Sequence, residues 1–237
     1  MYKIVFFLRF REDGDRADAE SRFAGDHGQL VLAIPGLLRY VQNKVLTAST
    51  NAGVSREKPL VDAFAAMWFA DRAAFEAATE SPVWQRAAED AAEIFDLEWL
   101  SEGWAAEIEE RIKREGLGAA QDGVGTPPRG PVKLIGILRY RADMGREQCN
   151  AYWASTHGDI ALTVSQIGHY TQNHSIAPIG AERLAFDGFS ESWYADQASY
   201  EEAMASAPWK ELEADGDNLF DMSVFKSVIV EELVLRT

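Results

Sequence analysis

The chain repeats itself, and no other feature constrains its fold as tightly. Asp26-His27-Gly28 returns as Thr156-His157-Gly158, and Tyr40-Val41-Gln42-Asn43 returns as Tyr170-Thr171-Gln172-Asn173, each 130 positions later. Farther on, Phe64 and Trp68-Phe69 match Phe189 and Trp193-Tyr194 at a separation of 125, which a shorter loop in the second half explains. A period this long marks a duplicated domain, not a solenoid. Units of about 115 residues are large enough to pack a core of their own. Residues 1–115 and 132–237 are therefore predicted to be two repeats, and 116–131, rich in Gly, Pro and small polar residues, a linker.

The same order of elements is read from both halves. An apolar strand opens each, at Lys3 to Arg11 and Lys133 to Arg141, bounded by glycine-containing or charged turns. A helix follows, in which Phe23, His27, Leu30, Val31 and Ile34 recur at helical spacing, as do Trp153, His157, Ile160, Ala161 and Val164. Both histidines thus belong to the apolar stripe. A glycine after each weakens the helix by about 1 kcal/mol relative to Ala, so the His-Gly pair predicts a kink or a close backbone approach. Second strands are predicted around 39–46 and 169–175 and third strands at 63–69 and 188–194. Single acidic helices are expected near 72–95 and 197–220. Alternation of Val228, Val230 and Val234 marks a last strand, and Trp104, Ala106, Ile108 and Ile112 mark its counterpart. This is an α+β chain of two ferredoxin-like β-α-β-β-α-β halves. Each four-stranded sheet has helices on one face and a bare second face, and the two bare faces can bury each other. The expectation is an intramolecular dimeric α+β barrel with helices outside, a pseudo-dimer within one chain that leaves a further homodimer open.

The formal charge of −15 repels phosphate backbones and anionic membrane surfaces. No basic stripe with interleaved aromatics offsets it, so neither nucleic acid nor membrane is expected as a partner. No segment approaches the ~18 apolar residues that span a bilayer. The opening residues read as a strand, not a signal peptide. A lone Cys149 matching Ala19 suits a small buried residue in a reducing compartment, and the expected location is the cytoplasm. The acidic runs near 76–115 and 201–221 read as solvated helix faces.

An apolar strand ending in Arg, an aromatic four residues before the helix-one histidine, Pro-Gly-Leu-Leu-Arg-Tyr-Val-Gln-Asn at 35–43, a Trp-Phe strand and Ser-Pro-Val-Trp at 81–84 together resemble the EthD family. That family is similar to the muconolactone isomerases and the polyketide cyclases and monooxygenases of the dimeric α+β barrel superfamily. The resemblance covers both halves apart from the linker and implies a ligand cleft in each, between sheet and helices, with the helix-one histidine facing it. The family's Tyr-Trp before the histidine and Glu in the third strand are kept as Tyr152-Trp153, His157 and Glu191, whereas the first half has Arg22-Phe23, His27 and Ala66. That departure turns attention to the second cleft. Fold does not fix function here, because the superfamily hosts many chemistries.

His157 is the first candidate catalytic residue, with His27 behind it, because imidazole can take and return a proton near neutral pH. The competing reading is a satisfied core histidine. Glu191 is expected to face the cleft and orient His157, the rival being a salt bridge to Arg139. Tyr170, Gln172, Asn173, His174 and Trp153, with Tyr40, Gln42 and Asn43 in the first half, are candidate substrate-binding residues that could polarise a carbonyl; sheet packing is their alternative role. His157, His174 and Glu191 supply enough ligand types for a metal, but their spacing demands none. Phosphate loops, dinucleotide fingerprints and nucleophile elbows are missing from the sequence. The expected function is a cofactor-independent lyase, isomerase or cyclase using histidine acid/base chemistry on a small apolar, aromatic or polyketide-like substrate. Oxygenation of an electron-rich aromatic, cofactor-free or with haem, is one alternative. A non-catalytic small-molecule-binding accessory protein is the other.

Overall fold

A strand that is apolar on both faces must be covered on both, and the opening strand shows how this chain achieves it. In the computed structural model, which describes residues 1–50, 53–54, 58–116 and 132–236, Tyr2–Leu8 (β1) turns Val5 and Phe7 to one core and Ile4, Phe6 and Leu8 to another. β1 lies between Ala63–Phe69 (β4) and Ala105–Arg114 (β5), and β4 pairs with Arg39–Thr50 (β2), whose far end carries the short Gly53–Val54 (β3). The second half repeats this arrangement. Val132–Leu138 (β6) lies between Gly188–Tyr194 (β8) and Lys226–Arg236 (β9), with Ile167–Pro178 (β7) beside β8. Antiparallel pairing of β5 with β7 and of β2 with β9 joins the halves into a ring, β2-β4-β1-β5-β7-β8-β6-β9. Closure removes the open edges that either sheet would have alone.

Inside the barrel Val5, Phe7, Phe64, Phe189, Val228 and Val230 pack together, so the faces predicted to meet do so by curling around one interior. Helices cover the outside. In the first half these are Arg16–Arg22 (α1) and Gly28–Leu32 (α2), then Arg72–Thr79 (α3), Pro82–Ile94 (α4) and Leu97–Leu100 (α5). In the second they are Arg146–Tyr152 (α6), Gly158–Thr163 (α7), Gln197–Ala205 (α8) and Ala207–Leu219 (α9). The single acidic helices predicted for each half are therefore broken. Ser81 caps α4 by accepting from Trp84 N at 3.1 Å, and Ser206 caps α9 through Trp209 N at 3.2 Å; a capping serine followed by proline starts a new helix. The first strands end earlier than predicted, at Leu8 and Leu138, while the second strands run on to Thr50 and Pro178. The strand predicted at 104–112 is present as β5. Apart from Gly116, the predicted linker lies outside the described residues.

The His-Gly expectation is met twice over. Between α1 and α2 the chain makes a π turn at Phe23–His27, and between α6 and α7 another at Trp153–His157. A π turn widens the helical ladder, so that a carbonyl such as Trp153 O, which takes the Gly158 N–H, can accept a second donor. Here Gln42 Nε2 donates to Phe23 O at 2.6 Å and Gln172 Nε2 to Trp153 O at 2.7 Å. The amides come so close that a Cβ on Gly158 would stand 2.8 Å from Gln172 Nε2, and one on Gly28 would stand 3.3 Å from Gln42 Nε2.

Candidate active site

The π turns set both histidines against the last long helix of their own half. His27 Nδ1 lies 2.8 Å from Asp90 Oδ2 on α4, and His157 Nδ1 lies 2.8 Å from Asp215 Oδ2 on α9. The two aspartates are 125 residues apart, in register with Trp84 and Trp209. They escape a reading of the sequence because they sit in acidic stretches that look like solvated faces; the signal that could have found them is the repeat itself. Arg22 Nη2 donates to Asp90 Oδ1 at 2.8 Å, and its counterpart Tyr152 donates from its hydroxyl to Asp215 Oδ1 at 2.7 Å.

Burial pushes the His27 imidazole below the ordinary histidine value, with Asp90 pulling the other way and Arg22 reinforcing burial. Burial also lowers His157, against Asp215. Both rings are thus neutral at pH 7. A neutral imidazole next to a carboxylate carries its proton on the facing nitrogen, so Nδ1–H donates to aspartate and Nε2 keeps a basic lone pair.

What each ring faces differs. His27 lines a cavity of about 220 Å³ whose walls are Phe23, Val31, Tyr40, Met67, Trp84, Ala88 and Phe95 with other apolar side chains. His157 lines one of about 80 Å³ with Trp153, Tyr170, Ser190, Trp209 and Phe220. On the helix side larger residues enter the second space, Trp153 for Phe23, Leu212 for Ala87 and Glu213 for Ala88, whereas on the sheet side Gly136 stands for Phe6 and Ser192 for Met67. Room for a ligand therefore lies with the half whose motif departs from the family pattern. Tyr40 and Tyr170 line the two cavities, and Tyr40 Oη accepts from Gln42 Nε2 at 2.9 Å, which keeps its own hydrogen free to donate.

Glu191 does not join His157. On β8, Ser190 and Ser192 face the His157 cavity, so strand alternation turns Glu191 into the barrel. There Lys133 Nζ pairs with Glu191 Oε1 at 2.8 Å, Lys3 Nζ with Oε2 at 3.4 Å, and Asn173 Nδ2 donates to Oε2 at 2.9 Å. The rival partner Arg139 instead pairs with Asp187. Burial pushes the Glu191 carboxyl up, but the two ammoniums hold it far below the usual carboxylate range. Asn173 and Asn43 lie on the same inner face: Lys3 donates to Asn173 Oδ1 at 2.7 Å and Lys133 to Asn43 Oδ1 at 2.9 Å. The expected joint action of Tyr170, Gln172 and Asn173 on one carbonyl is thus corrected by the same two-residue period, and Gln172 and Gln42 are spent on the π turns. His174 packs against Trp153 with centroids 4.3 Å apart and planes tilted by 49°, and its Nδ1 lies 3.1 Å from Asn150 Oδ1.

His157, His174 and Glu191 do not converge on a metal, and no cluster of three such ligands occurs among the described residues. Neither of the two larger described spaces fits a haem. The His27 cavity is below the ~300–1,000 Å³ of sites for drug-sized ligands. An open groove of about 850 Å³ along the β2–β9 seam has no His, Cys, Met or Tyr among its described lining residues to serve as axial ligand.

A family model described as the EthD domain matches residues 11–98 and again 141–223. Among solved structures, one from Fusobacterium nucleatum described as a "Putative monooxygenase" is similar over 100% of this chain and 94% of its own, with TM-score 0.61 and 11% identity. An "anthrone oxidase-like protein" is similar over 99% and 92%, with TM-score 0.64 and 10% identity. Identities this low establish a shared fold. No curated protein matches the chain.

Proposed function

The chain belongs to the EthD domain family, and from that premise we propose that it is a proton-transfer enzyme acting on a small, largely apolar molecule of aromatic or polyketide type. Each half is read as a ferredoxin-like unit of a duplicated ancestor, with repeats at 1–115 and 132–237. His27 is the general base: Asp90 fixes its tautomer, and the remaining nitrogen serves the cavity. Tyr40 donates to a substrate carbonyl, stabilising the charge left when an adjacent C–H or O–H loses its proton. His157 with Asp215 offers the same chemistry in the narrower second cavity. The observation that carries this reading is a neutral, aspartate-held imidazole lining an apolar cavity of about 220 Å³.

The anion so formed can eliminate, isomerise or close a ring, which makes the enzyme a lyase, isomerase or cyclase. The descriptions of the similar structures as monooxygenase and anthrone oxidase-like favour a second outcome, capture of the same anion by dioxygen. Turnover of a panel of hydroxylated polycyclic aromatics, in air and under anoxia, separates these outcomes. Activity is expected to fall at least 10²-fold in His27→Ala, the scale of lost general catalysis. Undiminished turnover in that variant would remove the proposal, and ligand binding with no turnover by any variant would leave an accessory binding protein.

A further inference from the structure

The groove of about 850 Å³ is larger than either histidine cavity, and the His27 chemistry has no use for it. It runs beside α1 along the β2–β9 seam, and Phe23 is the wall it shares with the His27 cavity. The corresponding seam, between β5 and β7, carries different side chains. Trp153 replaces Phe23 and packs, tilted, against His174, which replaces Lys44; Asn150, in place of Glu20, bonds His174; and Lys113 Nζ donates to Ala154 O at 2.7 Å. The two seams of the duplicated element therefore differ in chemistry.

The open seam has a definite chemistry. Phe23, Leu46 and Leu233 give it apolar walls. At its rim Lys44 Nζ reaches Glu231 at 3.3 Å and Glu20 at 4.0 Å. Two carboxylates thus face one ammonium. Gln42, a lining side chain that is almost fully buried, also holds an acceptor, Oε1, without a partner among the described residues. That unsatisfied acceptor favours a donor over another acceptor, and the molecule's charge of −15 attracts cations.

We propose that this groove is a second ligand site, distinct from the His27 cavity, which takes an amphiphilic cation: an aromatic body against Phe23, Leu46 and Leu233, and a protonated amine toward the carboxylates. The inference does not depend on catalysis at His27.

The test is a fluorescence titration of the full chain with 1-naphthylmethylamine, 1-naphthylmethanol and 1-naphthylacetate, which share a body and differ in charge. The amine is expected to bind most tightly and the acetate at least 10-fold more weakly than the amine. Giving the groove the residues of the β5–β7 seam, Glu20→Asn with Lys44→His and Leu233→Arg after Asn150, His174 and Arg111, should weaken the amine at least 10-fold, whereas His27→Ala should leave it within about twofold. Glu231→Gln, at an exposed position, is a milder variant should the triple one fail to fold; it should weaken the amine about threefold and leave the alcohol unchanged. Equal affinity for amine and acetate, binding lost in His27→Ala, or amine binding indifferent to Glu231→Gln would each overturn the proposal.

Discussion

At the scale of single residues, the argument turns on which nitrogen of an imidazole is occupied. Asp90 raises the proton affinity of His27, while burial and Arg22 lower it. A base works in its deprotonated form, so the rate should fall as pH drops through the His27 pKa, and that acid limb should lie below 6.5. Arg22→Gln should move the limb upward toward the ordinary histidine value, because it removes a cationic neighbour. Asp90→Asn should move it lower still and reduce the plateau as well, because the tautomer is no longer imposed. pH–rate profiles of the two variants check both directions; shifts of the same sign would sink the dyad.

At the scale of elements, the π turn, the glycine after it and the glutamine beneath it form one device, built twice. Gly→Ala inside a helix ordinarily stabilises by about 1 kcal/mol. Here Gly158→Ala should destabilise instead, since its Cβ would meet Gln172 Nε2 and Trp153 O at 2.8 Å. Gly28→Ala, whose nearest neighbour is a leucine methyl at 3.2 Å, should be close to neutral. Gln172→Ala should cost about 1 kcal/mol, the worth of one hydrogen bond, because the Trp153 carbonyl then keeps only the Gly158 N–H. Urea denaturation of the three variants measures these differences. The strands of this device were legible in the sequence through their alternation, and the helix stripe through its spacing. The π turn was legible only as an oddly placed glycine, since a one-residue change in hydrogen-bond ladder leaves the apolar pattern almost intact.

At the scale of the whole molecule, the halves are joined by charge as well as by strand pairing. Lys3 of the first half bonds Asn173 and Glu191 of the second, and Lys133 of the second bonds Asn43 of the first. Lys133→Met should destabilise by about 3–5 kcal/mol, because Glu191 and Glu232 would remain buried without that ammonium. Acid should act in two windows. Burial, with Arg111, lowers His174 from 6.5 to about 4 in the folded chain, so the unfolded state binds the proton first and stability falls as pH drops from 6.5 toward 4. Glu191 has a folded pKa well below its ordinary 4.5, so its contribution is present above that value and is lost only in stronger acid. His174→Gln should make the upper window shallower without abolishing it, because burial lowers His27, His157 and His169 as well, and should leave the lower one, as midpoints of urea unfolding at stepped pH would show.

The sequence by itself determined the duplication, the order of the elements, the burial of both helix-one histidines and the acidic character that argues against polyanionic partners, because these follow from period, hydropathy and net charge, which are properties of the chain as a string. Only the tertiary structure decided that Asp90 and Asp215 are the partners of those histidines and that Glu191, Asn43 and Asn173 serve the barrel interior instead. It also decided that the first half holds the larger cavity. The reason is geometric: which face of a strand a residue occupies in the closed barrel, and which distant helix is laid against it, are settled when the two halves close on each other, and a cavity is the space that two packed surfaces fail to fill.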